Sequence, residues 1–333
     1  MFKLRLLISV LALTGSMSVL AAEALPTTAP APADNPTTPE KVALGKLLYH
    51  DPRLSSTGTV SCASCHNTML GGEDNRAGSM GVNGQVGGRS APTVWNAAFN
   101  QVQFWDGRAA SLEAQAAGPV TNPIEMGMKS WDDVVVRLKA IPGYQAAFAK
   151  AFGDDAISKD TATKAIAAYE RTLITPNSAY DKYVSGNKSA LTPQQVRGLD
   201  KASALGCFGC HSGPALNGAG TFQKFPLIGG GTLDAQYHFT KDLGLAEVTK
   251  KDADKHLWKV PTLRNIALTA PYFHNGSVKT LDTAVKIMAK VQVGVDITDA
   301  ETADIVAFLN ALTGEFPQQT MPSLPPTPGT TLN

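Results

Sequence analysis

The chain has 333 residues, 43% of them hydrophobic and 17% charged, which is ordinary globular material long enough for two domains of common size. With 29 Lys and Arg against 28 Asp and Glu, the formal net charge is +1. This balance offers no basic field for nucleic acid and no polybasic run for a membrane surface, and it excludes a disordered chain.

Lys3 and Arg5, the apolar run from Leu6 to Leu20 and the small residues Ala21, Ala22 and Ala24 have the layout of a secretory signal peptide over residues 1–22, cleaved near 22–24. Gly15, Ser16 and Ser18 interrupt a run already shorter than the roughly 20 apolar residues that a membrane span needs. Its loss removes two basic residues and no acidic ones, so the exported chain stays near neutral. Residues 23–39 are rich in Pro, Thr and Ala and read as an extended linker. A helix then begins near Pro39, with Val42, Leu44, Leu47 and Leu48 as its apolar stripe. Amphipathic spacing predicts further helices over 131–139, 161–173, 193–205, 280–290 and 299–313, the last stopped by Gly314. Residues 317–333 form a Pro-rich tail. Strand signals are almost absent, since Pro and Gly break runs such as Phe222 to Ile228. The fold class is therefore mainly α with long loops, and wrapping a cofactor accounts for such loops.

The four cysteines are Cys62, Cys65, Cys207 and Cys210. In an exported chain four cysteines suggest disulfides, but each pair here is followed at once by a histidine, His66 or His211. Cys-x-x-Cys-His sets two thiols one helical turn apart, so both add to the vinyl groups of one haem edge while the next imidazole reaches the iron. Two such motifs, using every cysteine, point to two covalently bound c-type haems. They lie 145 residues apart, which suggests a duplicated haem domain, 40–180 and 181–316, with a boundary near the turn-forming residues 175–190.

A second strong ligand blocks a haem iron, whereas an open position admits a small molecule. After His211 the methionines are Met288 and Met321, and Met288, on a helix, is the better sixth ligand, with His274 as its rival and core packing as its plain alternative. For the first haem no histidine occurs between residues 67 and 210, which leaves Met69, Met80, Met126 and Met128. An open or water-bound iron is the simplest inference, and it places substrate chemistry at the first haem.

The stretches LGKLLYHDPRLSSTGTVSCASCHN, APTVWNAAFNQVQFWDGRAASLEAQAAGPV, NPIEM, GCFGCHSG, VPTLRNIALTAPYFHNGS and IVAFLNALTG cover nearly everything from residue 41 to 314. In them the chain resembles the bacterial di-haem cytochrome c peroxidases, which include the methylamine-utilisation di-haem enzymes. The resemblance implies two cytochrome-c-like domains with Trp105 between the haems, a peroxidatic N-terminal haem, and a higher-potential C-terminal haem whose Met ligand is Met288. In the methylamine-utilisation branch a tyrosine stands there instead. It further implies a catalytic carboxylate at Glu125 and a distal glutamine at Gln115. Moving a proton from one peroxide oxygen to the other is acid–base work for a carboxyl, and an amide can orient peroxide by hydrogen bonding. Family members commonly carry a His in the Gly-rich loop that blocks the first iron until the second haem is reduced. Here that position is Val82, so the site is expected to be open in the fully oxidised protein, with Met80 the nearest substitute ligand. A calcium ion between the domains would take carbonyls of Thr269 and Pro271 and the side chain of Ser90, where Asn is usual. His274 is expected to support the second haem pocket by hydrogen bonding, His50 to be partly packed, and His238 and His256 to lie at the surface.

These readings imply a periplasmic peroxidase that reduces hydrogen peroxide with electrons from a small redox protein, a cytochrome c or a copper protein, in a family that is often dimeric. Two rival readings are a non-catalytic di-haem electron carrier and an oxidase that uses peroxide to modify a partner protein through Trp105.

Overall fold

A computed structural model describes residues 23–329, so the expected signal peptide lies outside the described residues. The described chain is mainly helical, with one antiparallel pair of three-residue strands, Phe222–Lys224 and Leu257–Lys259, in which Phe222 faces Lys259. None of its helices is long and apolar enough to cross a membrane.

Two crossed helix pairs frame the molecule. In the first half, Pro39–His50 is started by Pro39 and by the Thr38 hydroxyl, which accepts from Lys41 N–H, and it packs on Lys159–Glu170. The backbones touch at Gly45, where a Cβ would lie 1.9 Å from the Ala165 carbonyl oxygen. In the second half, Pro193–Ala204 crosses Asp299–Asn310 in the same way, and a Cβ on Gly198 would lie 1.9 Å from the Asp304 oxygen. Leu44, Leu48, Tyr144, Phe148 and Ile166 belong to the core of the first half. Phe308, Leu309 and Leu312 centre one core of the second half, and Phe225, Phe239 and Trp258 another.

Helices carrying an apolar stripe fall where spacing places them: Trp131–Lys139, Lys159–Glu170, Pro193–Ala204, Leu281–Met288 and Asp299–Asn310. The last ends four residues before Gly314, so Gly314 does not stop it. Gly314 serves a close approach instead, since its Cβ would lie 1.8 Å from the Thr175 carbonyl oxygen. Leu112–Thr121 and Pro142–Phe152 are helices that the sequence reading does not place; they bury only Leu112, Ala116 and Val120, and Tyr144 and Phe148. Ala179–Val184 is helical where turn residues suggested a boundary, and the 180/181 division falls inside it.

The halves meet about a pseudo-twofold relation. Positions 169 residues apart are equivalent: Pro92 and Pro261, Asn96 and Asn265, Phe104 and Phe273, Trp105 and His274. Asn96 and Asn265 both adopt left-handed backbone conformation, and both donate side-chain N–H to the Thr175 hydroxyl at 2.8 Å. Across the seam, Ser90 N–H donates to the His274 carbonyl (2.8 Å) and Lys259 N–H donates to the Trp105 carbonyl (3.0 Å).

The segments expected as linker and tail are pinned. Leu25 N–H donates to Asp181 (2.9 Å) and the Asn35 amide to Glu113 (2.8 Å). Beyond Gly314 the chain returns over the first half: Phe316 meets Trp95 edge-on at 4.8 Å, Lys46 donates to Thr320 and Arg53 to the Pro325 carbonyl. Extended segments fastened one residue at a time have no periodicity to read.

The glycine contacts give a stability test. Gly198→Ala is expected to destabilise the protein by about 1–3 kcal/mol through overpacking. The effect is read as a lowered thermal midpoint with unchanged haem content, while Gly206→Ala, whose Cβ would meet no atom within 4 Å, reports the backbone cost of its positive φ alone.

Candidate functional site

Each cysteine pair sits on a single helical turn, Cys62–Cys65 and Cys207–Cys210, closed by the histidine N–H donating to the first cysteine's carbonyl. The four thiols form no disulfides. Burial pushes the Cys62 thiol up to about 12 and the Cys65 thiol up to about 11. His66 Nδ1 lies 3.0 Å from the Pro92 carbonyl and His211 Nδ1 3.0 Å from the Pro261 carbonyl. That bond fixes the tautomer and leaves Nε2 with a free lone pair. Burial lowers both histidine pKa values, which keeps the imidazoles in the neutral, ligating form. Free paired thiols beside an Nε2 donor fit haem attachment at both motifs.

Met288 is the last residue of the Leu281–Met288 helix and is followed by a π-helical turn, Ala289–Val293. It is half-buried against the core that contains Trp258 and Val278. Leu281 and Ile266, which pack on that core, also pack on the core that receives Cys207. Trp105 belongs to the first repeat yet packs against this second-half core, and its indole N–H donates to the Ser90 carbonyl at 2.8 Å.

Glu125 stands in the loop after the Leu112–Thr121 helix, on the wall of a cleft of about 290 Å³ shared with Phe104, Arg108, Pro119 and Asn122. Burial raises its pKa, opposed by Arg108 and by the Asn122 amide, which donates to its carboxylate at 2.9 Å. Its charge reaches the Cys62 and Cys65 thiols and raises both. Gln115 is half-buried on the same helix, one turn before Pro119, and its side-chain amide has no hydrogen bond among the described residues. A larger cleft of about 680 Å³ lies between Thr28, Arg171 and Phe316 under the two terminal segments, with no motif residue on its wall.

Val82 is 2% exposed and belongs to the first-half core. Its N–H donates to the Glu125 carbonyl at 2.9 Å, and a Cβ on Gly127 would lie 2.8 Å from its methyl group. The loop is stapled by Gly81 N–H to the Gln85 carbonyl (2.8 Å) and by the Gln85 amide to the Pro123 carbonyl (2.9 Å). Met80 points outward and is 48% exposed.

At the seam, Ser90 is buried, with its hydroxyl donating to the Arg76 carbonyl at 3.1 Å. The Thr269 and Pro271 carbonyls accept no hydrogen bond among the described residues. His274 stacks on Trp258 at 4.0 Å and burial pushes its pKa down to about 4, while its buried Nε2 has no protein partner among the described residues. His50 is buried, His238 is exposed, and His256 is half-buried with Nδ1 at 3.1 Å from the Asp242 carbonyl. Sequence reasoning gave no role to Arg108, Pro92 or Pro261. The repeated Pro-Thr-x-x-Asn after each motif was the signal for the two prolines.

The family model described as di-haem cytochrome c peroxidase matches residues 39–189. The chain is 47% identical over 291 residues to the cytochrome c peroxidase Ccp of Escherichia coli K12, covering 86% of this chain and 61% of that longer protein. It is 43% identical over 300 residues to the cytochrome c551 peroxidase of Nitrosomonas europaea, covering 89% of this chain and 87% of that one. Among solved structures it is similar to a MauG-like protein associated with microbial copper homeostasis, with a TM-score of 0.75, 30% identity, and coverage of 91% and 96%. Two histidines held by equivalent proline carbonyls, in one chain that aligns along nearly its whole length with such enzymes, place this protein in the di-haem cytochrome c peroxidase family.

Proposed function

We propose that the protein is a periplasmic peroxidase that reduces hydrogen peroxide to water, H2O2 + 2e⁻ + 2H⁺ → 2H2O, without prior reductive activation. The observation that carries this reading is the Glu125 carboxyl on an open cleft beside the first cysteine motif, with Val82 turned into the core rather than toward a ligand position.

Cys62 and Cys65 with His66, and Cys207 and Cys210 with His211 and Met288, would hold two haems, which would supply single-electron transfer and the redox chemistry of peroxide cleavage. Glu125, as carboxylate, takes the proton from one peroxide oxygen and returns it to the departing oxygen. The Gln115 amide orients peroxide and donates to developing charge. Trp105, fixed by its bond to Ser90 and seated on the second-half core, offers the electron path between the halves. A small redox protein, cytochrome c or copper protein, supplies the electrons. Met288, where the methylamine-utilisation branch has tyrosine, favours this reading over oxidation of a partner protein. The uncommitted Thr269 and Pro271 carbonyls beside Ser90 support calcium at the seam.

The fully oxidised, as-isolated protein is expected to show a high-spin ferric signal and to react with peroxide on first mixing, without reductant. Two low-spin haems and no reaction would sink the ungated reading and leave an electron carrier or a reductively activated enzyme. Val82→His is expected to make activity depend on pre-reduction, because an imidazole in place of the apolar anchor gives the loop a ligand and removes the contact that holds it.

Glu125→Gln is expected to lower kcat/KM by about 10²–10⁴. Because the pKa of Glu125 is raised and the carboxylate is the working form, kcat/KM rises with pH through that raised value, and its acid limb lies above the ordinary glutamate value of about 4.3. Arg108 lowers that pKa, so Arg108→Gln is expected to move the acid limb to still higher pH; an unmoved limb assigns it to another group.

A further inference from the structure

The two seams that join the repeats are built alike but charged differently. On one, the Asn217 amide donates to the Phe99 carbonyl (3.0 Å) and the Asn100 side chain (2.9 Å). On the other, the Asn75 amide donates to the Ala270 carbonyl (2.9 Å) and also reaches the Leu268 carbonyl, the counterpart of Phe99 by the 169-residue offset. Ser90 and Lys259 are counterparts under the same offset, and their N–H groups make the reciprocal bonds across the interface. Lys259 is 7% exposed and forms no ion pair among the described residues, and burial alone pushes its pKa down to about 8. One seam therefore contains a built-in cation, while its counterpart has an uncharged serine in that place.

The serine seam has the opposite surplus. Glu73 is 1% exposed, and both its carboxylate oxygens accept only from Asn75, one from N–H at 2.9 Å and the other from the amide at 2.6 Å. That same amide bridges to the Ala270 carbonyl, which places the carboxyl at the turn carrying the uncommitted Thr269 and Pro271 carbonyls. No cation partners Glu73 among the described residues, and burial pushes its pKa up to about 7. A buried carboxylate without a cation is costly, and hard oxygen donors collected from two segments are what a divalent ion such as calcium takes.

We propose that Glu73 is the charged member of a divalent-cation site at this seam, acting with the Thr269 and Pro271 carbonyls and the Ser90 hydroxyl, so that a bound metal does there what the Lys259 ammonium does at the other seam. This rests on the calcium reading above and adds to it the residue that balances the ion's charge. Glu73 compensates for the short, weak hydroxyl donor of Ser90.

The test uses the holoprotein stripped with EGTA and titrated with CaCl2, followed by calorimetry and thermal melting at constant haem content. The wild type is expected to bind about one Ca²⁺ and to melt higher with it. Glu73→Gln is expected to bind Ca²⁺ roughly tenfold more weakly or worse, as loss of a charged ligand dictates. In EGTA the variant is expected to melt no lower than the wild type, since the uncompensated carboxylate is gone. No binding by the wild type overturns the calcium reading itself. Equal binding by wild type and Glu73→Gln, with a variant melting lower in EGTA as well, overturns the assignment of Glu73 and reduces it to its Asn75 bonds. Should Glu73→Gln not fold, Glu73→Asn removes the charge in a smaller side chain, and unchanged Ca²⁺ affinity in it overturns the assignment equally.

Discussion

An imidazole can serve as an axial ligand only if one ring nitrogen is tied down so that the other faces the metal, and here one backbone carbonyl does this in each half. The Pro92 and Pro261 carbonyls hold Nδ1 of His66 and His211 at the same 3.0 Å. Much of the architecture exists to place those two carbonyls. Thr93 and Thr262 donate their hydroxyls back to the loops that follow the motifs, at Gly71 and Ala215, both at 2.6 Å. Asn96 and Asn265 then carry each segment to Thr175, where the repeats share one hydroxyl. The placement of the imidazole in either half is thus fixed by a network that ends near the midpoint of the chain.

From that midpoint the chemistry divides. The halves share a scaffold but differ at equivalent positions, Trp105 against His274 and Ser90 against Lys259, while the Glu125 cleft belongs to the first half and Met288 to the second. Proximity follows from the reciprocal bonds of Ser90 and Lys259, which make the indole of one repeat part of the other's core.

What the sequence reveals depends on whether a residue's contacts are local. The cysteine motifs and the striped helices, such as Trp131–Lys139, are local patterns and were legible from spacing. Glu125, Gln115 and Val82 carry no local signature, and only the resemblance pointed to them. Leu112–Thr121 was passed over because its buried face is only Leu112, Ala116 and Val120 and a proline stands inside it, and Gly314 was misread because its small size answers to Thr175, far away in sequence. Arg108 and Glu73 were passed over for the same reason: what matters about each is a charge brought beside it, or denied it, by another segment.

The return of the last described residues over the first half bears on how the molecule is completed. Trp95, Lys46 and Arg53 of the first half take partners from Phe316, Thr320 and Pro325, which follow the second half in the chain. The first half is therefore finished only when the second has been delivered, and its outer wall belongs to the far end of the polypeptide. A protease that cuts between Gly314 and Phe316 would injure the half that carries Glu125 rather than the half to which the trimmed residues are joined.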